Sequence, residues 1–220
     1  MNTLQSKTVS QVVARLFENA EAADRPLRER LAKLSADERA KLLGQARSDY
    51  RGFYGMAREM YLPVSRETAG LLYILARAKK ARAIVEYGTS FGISTIHLAA
   101  ALRDNGGGKL VGSELEASKV ATARRNLADA GLADLVDVRE GDALETLARD
   151  LPPAIDLVLL DGAKVLYPRV LALLEPHLAP GALVVADNAD DSPEFVARVR
   201  ASSAYVSVPV GPDVEVALRV

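Results

Sequence analysis

The chain has 220 residues, with 28 lysines and arginines against 29 aspartates and glutamates, and it has no cysteine. The near-neutral charge gives no electrostatic case for binding nucleic acid or an anionic membrane surface, and the missing cysteines exclude disulfides, thiolate metal sites and cysteine nucleophiles. The first residues lack the pattern of a signal peptide, and no run of about 20 apolar residues is present to span a membrane, so we expect a cytoplasmic protein.

The first part of the chain has the spacing of helices and no strand-like alternation. Ser35 and Glu38 have the spacing of a capping box at a helix start, and another predicted helix begins after Pro63 and ends in cations. Apolar residues repeat at helical spacing near the N-terminus, at Val9, Val12, Val13 and Leu16. We expect a helical extension over residues 1–62 and a separate domain over residues 63–220.

From Arg82 onward, short apolar runs alternate with helical segments. Five such runs are followed by a helix: "RAIVEY", "KLVGSE", "LVDVREG", "IDLVLLD" and "GALVVADN". This alternation predicts an α/β fold, with a parallel sheet covered by helices on both faces. The last two runs, "YVSVPV" and "VEVALRV", are too close together for a crossover helix, so they predict an antiparallel hairpin.

Acidic residues close all five strands of the predicted parallel sheet. Ligands of such sheets bind at the carboxyl ends of the strands. A single acid after a strand is more often a helix cap than a ligand, but five that meet at one edge indicate a site. These residues are Glu86, Glu114, Asp142, Asp161 and Asp187.

The turn after the first strand, "VEYGTSFGIS", indicates which ligand this edge holds. The dinucleotide fingerprint G-x-G-x-x-G lacks its middle glycine here, and Glu86 would repel a phosphate but favour an amine. The start of the next helix can hold a carboxylate, and Glu114 can accept hydrogen bonds from both ribose hydroxyls. An amino acid joined to a nucleoside without phosphate describes S-adenosylmethionine. The alternative is that Gly88 and Gly92 only form a tight turn.

A second group of residues follows the fourth and fifth strands. Asp161, Asp187 and Asn188 offer oxygen ligands only, which suits Mg²⁺, Mn²⁺ or Ca²⁺. An acceptor with two adjacent hydroxyls would chelate such an ion. Beside a divalent cation a lysine loses its proton more readily, so Lys164 is the predicted general base. The alternative is that the two aspartates are helix caps and that Lys164 is a solvated lysine.

These residues carry a resemblance to a known family. "VEYGTSFGISTIHLA" resembles the E-x-G-T-x-x-G-x-S motif of class I S-adenosylmethionine-dependent methyltransferases. The D-x-x-K-x-x-Y run from Asp161 and the later Asp-Asn pair resemble the signature of the metal-dependent catechol and caffeoyl-CoA O-methyltransferases. The resemblance covers roughly residues 63–220, and it implies a Rossmann-like, seven-stranded, mostly parallel sheet with the C-terminal hairpin.

The resemblance also implies roles for single residues. Lys164 is the implied catalytic residue, and Asp161, Asp187 and Asn188 are the implied metal ligands. Asp142 and Ala143 are expected at the adenine, Glu86 at the methionine amino group, and Val64 at the cofactor through its backbone. The full implied cofactor-binding set is Val64, Glu86, Gly88, Thr89, Ser94, Glu114, Asp142, Ala143 and Asp161.

One departure from the family concerns the aromatic residues beside the metal aspartate. Gly162 and Ala163 stand where the catechol enzyme has aromatic side chains, so a wall against a substrate ring must come from elsewhere. The candidates are Phe53, Tyr54 and Tyr61. Tyr167 is expected either to contact substrate or to pack beneath its loop.

The expected activity is transfer of a methyl group from S-adenosylmethionine to a hydroxyl of a small phenolic or catechol-like acceptor, with Mg²⁺ or a similar ion. In the wider family, helical extensions line the acceptor pocket and mediate dimerisation, which implies these roles for residues 1–62 and a homodimer. The alternatives are methylation of a hydroxyuridine in tRNA and a non-catalytic S-adenosylmethionine-binding module. The lack of a basic run disfavours the first, and the intact Asp161–Lys164 pair disfavours the second.

Overall fold

The computed structural model describes residues 2–35, 37, 38, 41, 44 and 48–220, without the side chains of Phe53, Tyr54 and Met56. The α-helices described are Lys7–Ala32, Tyr50–Met56, Arg66–Lys79, Ile93–Asp104, Ala117–Asp129, Ala143–Thr146, Tyr167–Leu174 and Pro193–Ala201. The strands are β1 Ala83–Tyr87, β2 Lys109–Glu114, β3 Val136–Glu140, β4 Ile155–Leu160, β5 Leu178–Ala186, β6 Tyr205–Val210 and β7 Val214–Arg219.

The strands form one seven-stranded sheet in the order β3-β2-β1-β4-β5-β7-β6. Strands β1 to β5 pair in parallel, and β7 pairs antiparallel with both β5 and β6. The predicted α/β fold with a terminal antiparallel hairpin is confirmed. The strand order reverses between β1 and β4, and a crevice at such a switch point is where ligands bind in open α/β sheets.

Apolar residues on both faces of the sheet explain its burial. Strand β1 is buried at all five positions, as expected for a central parallel strand covered by helices on each side. One core cluster joins the sheet to the helices Lys7–Ala32, Arg66–Lys79, Ile93–Asp104 and Ala117–Asp129. The other joins it to Tyr167–Leu174 and Pro193–Ala201.

The helical character of the first part of the chain is confirmed where it is described. The side chain of Ser6 caps the first helix by accepting a hydrogen bond from the Val9 N–H. The predicted capping box is also present: Ser35 N donates to Glu38 Oε2 over 2.8 Å and Glu38 N donates to Ser35 Oγ over 3.3 Å.

Two further features of the fold concern helices: their suitability to cross a membrane, and the short helix that follows Asp142. Among the described residues, no helix is both long and apolar enough to cross a membrane. The segment after Asp142 forms a helix of only four residues, Ala143–Thr146, which is shorter than the predicted strand–helix alternation suggests. The chain therefore reaches the start of β4 through the irregular segment 147–154.

Candidate functional site

The turn after β1 requires glycine for a measurable reason. Gly88 has a φ of +98°, and a Cβ there would lie 2.6 Å from the backbone oxygen of Asp161. The β1 turn therefore packs directly against the turn that follows β4. The N–H groups of Gly88 and Thr89 both donate to the Ser113 carbonyl, over 3.0 and 3.2 Å, which ties the turn to β2 as well.

Glu86 is enclosed by the loop and helix that follow it. Its carboxylate is completely buried and accepts three hydroxyl hydrogen bonds, from Thr89 over 2.9 Å, Ser94 over 2.7 Å and Thr95 over 2.6 Å. Burial raises the pKa of Glu86 to about 7, although these hydroxyls act to lower it. The structure thus places Glu86 behind the loop, where it orders Thr89 and Ser94, and Thr95 is a partner that the sequence analysis did not name.

Glu114, at the end of β2, lies on the wall of a cavity that we call the inner cavity. Tyr61, Gly88, Glu114, Lys119, Asp142 and Asp161 are among the residues that line it. The Glu114 carboxylate accepts the N–H of Ser90 over 2.8 Å and that of Glu116 over 2.9 Å. The two backbone N–H groups hold the carboxylate in one orientation at the cavity wall.

Asp142 and Ala143 lie at the other end of the inner cavity. Asp142 accepts hydrogen bonds from the Leu144 N–H over 2.9 Å, the Arg51 guanidinium over 2.6 Å and the Tyr50 hydroxyl over 3.1 Å. Burial raises the pKa of Asp142, but these hydrogen bonds outweigh it and leave the pKa below its ordinary value. The helix Tyr50–Met56 is thereby held against this end of the cavity, a contact that the sequence analysis did not predict.

A smaller cavity adjoins the inner one across Gly88 and Asp161. Its lining includes Val64, Thr89 and Ser94. The backbone of this region is fixed from the first helix, because the buried Asp24 carboxylate accepts the N–H groups of Tyr61 and Leu62, each over 2.8 Å. The predicted cofactor-binding residues other than Glu86 therefore line two cavities that share Gly88 and Asp161 as wall residues.

The aromatic ring beside Asp161 comes from β1. A Cβ on Gly162 would lie 2.3 Å from Cζ of Tyr87, so the Tyr87 ring occupies the space next to this glycine. The Ala163 N–H donates to the Tyr87 hydroxyl over 2.9 Å. Tyr61 lines the inner cavity and stacks on Phe91 with ring centroids 3.9 Å apart; its role as a wall against a substrate ring stays a prediction. The side chains of Phe53 and Tyr54 lie outside the described residues.

The residues after β4 and β5 form an acidic edge. Asp161 Oδ1 accepts a hydrogen bond from Lys164 Nζ over 3.0 Å, and both side chains are mostly buried. Burial, followed by the charge of Asp161, raises the pKa of Asp187 to about 7. Asn188 has a φ of +48° and its amide donates to Asp213 over 3.3 Å.

Tyr167 is a packing residue. It is completely buried, and its hydroxyl donates to the backbone carbonyl of Asp187 over 2.8 Å. Of the two predicted roles for this residue, the structure shows the packing one. Tyr167 therefore ties the helix that follows the β4 turn to the β5 turn.

The donor chemistry of this edge suits a hard cation. Two carboxylates and one amide are oxygen donors of the kind that Mg²⁺ and Ca²⁺ prefer. Within the described residues, no group of three or more histidine, cysteine, aspartate or glutamate side chains is placed to hold a metal ion. A site here depends on the Asn188 amide as its third protein ligand.

A third and wider space, which we call the outer cavity, lies between the first helix and the β5 turn. Its volume is about 490 Å³, and its walls include Phe17 and Arg28 on one side and Asp187 and Asn188 on the other. Val64 lines both the outer and the small cavity. Glu86 and Lys164 line none of the three cavities.

The chain is similar to several known proteins. A family model described as a methyltransferase domain matches residues 85–189. A catechol O-methyltransferase of Niastella koreensis is 33% identical over 130 residues, which are 58% of each chain. One of Mycobacterium tuberculosis is 35% identical over 127 residues, which are 58% of this chain and 57% of that one. The chain thus spans less than two thirds of the length of these curated relatives.

The solved structures include one that is similar in both fold and sequence. It is the crystal structure of TomG, an O-methyltransferase of Streptomyces achromogenes involved in tomaymycin synthesis, in complex with S-adenosylmethionine. The TM-score is 0.66 and the identity 31%, over 80% of this chain and 88% of that one. With the sheet order, the glycine turn after β1 and the acidic strand ends already described, this likeness shows that the chain belongs to the class I S-adenosylmethionine-dependent O-methyltransferases.

Proposed function

We propose that the protein transfers a methyl group from S-adenosylmethionine to a hydroxyl of a small phenolic or catechol-like acceptor. The observation that carries this proposal is the meeting of two cavities at Gly88 and Asp161, one lined by Glu114 and the other by Ser94. The two spaces have volumes of about 70 and 10 Å³, so a nucleoside joined to an amino acid would lie across them only once they widen. The acidic walls suit a ligand that carries a sulfonium and an ammonium group.

In this proposal the adenosine occupies the inner cavity. Glu114 accepts hydrogen bonds from the ribose, and Asp142 and Ala143 lie at the adenine. The amino-acid end enters the small cavity, whose wall is formed by Val64, Gly88, Thr89 and Ser94. Glu86 acts as a positioning residue, because its carboxylate holds the Thr89 and Ser94 hydroxyls.

The outer cavity is the proposed acceptor site. Its volume of about 490 Å³ is within the ordinary range of small-molecule pockets, about 300–1,000 Å³. Its wall carries Asp187 and Asn188, so an acceptor hydroxyl there lies beside the acidic edge. The catechol O-methyltransferase names of two relatives support a phenolic acceptor. The first helix forms the opposite wall, which supports the proposed role of residues 1–62 as a cover; a homodimer stays a prediction.

The chemical step needs a deprotonated hydroxyl oxygen in line with the donor methyl group. The oxygen forms a bond to the methyl carbon while the carbon–sulfur bond breaks and S-adenosylhomocysteine leaves. We assign the hydroxyl proton to Lys164 Nζ in its neutral form; the side chain lies 3.0 Å from Asp161 Oδ1 and must turn toward the outer cavity to take the proton. Asp161, Asp187 and Asn188 would hold a divalent cation, which when bound supplies positive charge that favours the ionised hydroxyl.

Methyl transfer from labelled S-adenosylmethionine to a panel of vicinal diphenols tests the proposal. We expect turnover that EDTA abolishes and Mg²⁺ restores. Lys164→Ala should lower kcat by about 10²- to 10⁴-fold, the range for loss of a general base, and leave the Kd for S-adenosylhomocysteine within a few-fold. The exposed Lys109 provides the control variant Lys109→Ala. Full turnover in EDTA would contradict the metal role, and cofactor binding without turnover on any acceptor would favour a binding module.

A further inference from the structure

Lys119 is a buried lysine whose side chain reaches a cavity. It lies in the first turn of the helix Ala117–Asp129 and is only 4% exposed. It nevertheless lines the inner cavity. Lysine is almost never this deeply buried unless its ammonium is paired, so the placement requires an explanation.

The ammonium has few partners within the protein. Its Nζ lies 5.4 Å from the centroid of the Phe91 ring, a cation–π contact. Across the described part of the chain, no hydrogen bond to Lys119 and no carboxylate within 4.0 Å of it is found. Burial lowers the pKa of Lys119, and the charges of Glu114 and Asp24 oppose this shift. Within the described residues, the three N–H donors of the ammonium therefore have no acceptor.

Glu114 supplies the complementary half of a binding site. Its carboxylate lines the same cavity and is oriented by the N–H groups of Ser90 and Glu116. A carboxylate only accepts hydrogen bonds and an ammonium only donates them. A vicinal diol both donates and accepts, so a diol bound between the two groups satisfies both. An adventitious anion would suit Lys119 but would be repelled by Glu114.

We propose that Lys119 is a cofactor-binding residue which, together with Glu114, binds the ribose diol of the methyl donor. The diol hydroxyls donate to Glu114, and Lys119 donates to a hydroxyl oxygen. This assignment rests on the proposed function, because it takes the inner cavity as the adenosine site. Lys119 is a positively charged residue in a pocket whose other charged groups favour a cation. The assignment therefore predicts how the pocket discriminates between the cationic methyl donor and its neutral product.

One consequence is that the charge of Lys119 distinguishes donor from product. The sulfonium of S-adenosylmethionine is cationic, whereas the thioether of S-adenosylhomocysteine is neutral. A cation in the same cavity weakens binding of the first relative to the second. Replacing Lys119 by an uncharged residue should therefore cost product affinity more than donor affinity.

A calorimetric double cycle tests the proposal. The proteins are the wild type, Lys119→Met, Lys119→Gln and the exposed control Lys109→Met, and the ligands are S-adenosylhomocysteine and its 2′-deoxy and 3′-deoxy analogues. We expect Lys119→Met to raise the Kd for S-adenosylhomocysteine about tenfold or more, as for loss of a charged hydrogen bond. The deoxy analogue that lacks the hydroxyl bound by Lys119 should show almost none of this loss of affinity. Lys119→Gln keeps a hydrogen-bond donor, so it should recover part of the affinity for S-adenosylhomocysteine.

Each other outcome has a defined meaning. An equal loss for all three ligands, or no loss at all, would overturn the role of Lys119 and leave the proposed function intact. If the wild type binds neither S-adenosylmethionine nor S-adenosylhomocysteine, the proposed function itself fails, and the role of Lys119 fails with it. Circular dichroism and the thermal midpoint identify a variant that fails to fold. If Lys119→Met does so, the ratio of donor to product affinity in Lys119→Gln decides: an increase over the wild type supports the role, and an unchanged ratio overturns it.

Discussion

Replacing Glu86 by glutamine should change how the stability of the protein depends on pH. In the folded chain the Glu86 carboxyl is completely buried, and burial raises its pKa from an ordinary 4.5 to about 7. The folded protein therefore holds this proton over a pH range in which the unfolded chain has lost it. The stabilisation that this proton contributes is fully present below pH 4.5 and is lost as the pH rises toward 7.

The size of the effect follows from the shift. A rise in pKa from 4.5 to about 7 corresponds to roughly 3 kcal/mol, because one unit is worth about 1.4 kcal/mol. Glutamine has no such proton to lose. It keeps one oxygen for the surrounding hydroxyls, and its amide can donate to a hydroxyl that rotates to accept. The wild type should thus lose roughly 3 kcal/mol relative to Glu86→Gln between pH 4.5 and 7.5.

Urea unfolding without ligand measures this difference. The free energy of unfolding is determined for both proteins at half-unit steps from pH 4.5 to 7.5, and the difference between them is plotted against pH. Other titrating groups contribute equally to both proteins and cancel. Glu18→Gln, at an exposed position of the first helix, should give a flat difference. A flat difference for Glu86→Gln as well would refute the reasoning that this carboxyl is buried without a compensating charge.

Three further substitutions test contacts around the cavities. Arg51→Met should weaken S-adenosylhomocysteine binding several-fold by calorimetry, because its partner Asp142 lies at the cavity. The thermal midpoint should stay almost unchanged, because Arg51 is exposed. Unchanged binding would show that Asp142 keeps its position without the guanidinium. Gly162→Ala should lower stability by about 1–3 kcal/mol in urea unfolding, as overpacking does, because its Cβ would meet the Tyr87 ring; an unchanged stability would show that the ring moves freely. Asp24→Ala should cost about 1–3 kcal/mol by the same measurement, because it leaves two backbone N–H groups without their acceptor; no loss would mean that water replaces the carboxylate.

Local patterns were sufficient to predict the sheet and the acidic residues that meet at one of its edges. The alternation of apolar runs and helices predicted five parallel strands, and the short link between the last two runs predicted the hairpin that pairs with β5. The residues closing the strands did meet at one edge, because parallel strands end on the same side. Glu114 and Asp142 line one cavity as this reasoning requires.

The sequence by itself therefore determined the fold class, the glycine turn and the acidic edge, because each depends on neighbouring residues or on the alternation of strands and helices. Only the tertiary structure decided which of these side chains line a cavity and which are enclosed behind its wall. Glu86 is a strand-end acid like Glu114, yet hydroxyls that follow it in the chain enclose it. Lys119 and the Tyr87 ring reach the inner cavity because separate elements pack against each other. Such packing brings together residues that are far apart in the sequence, so local sequence patterns do not predict it.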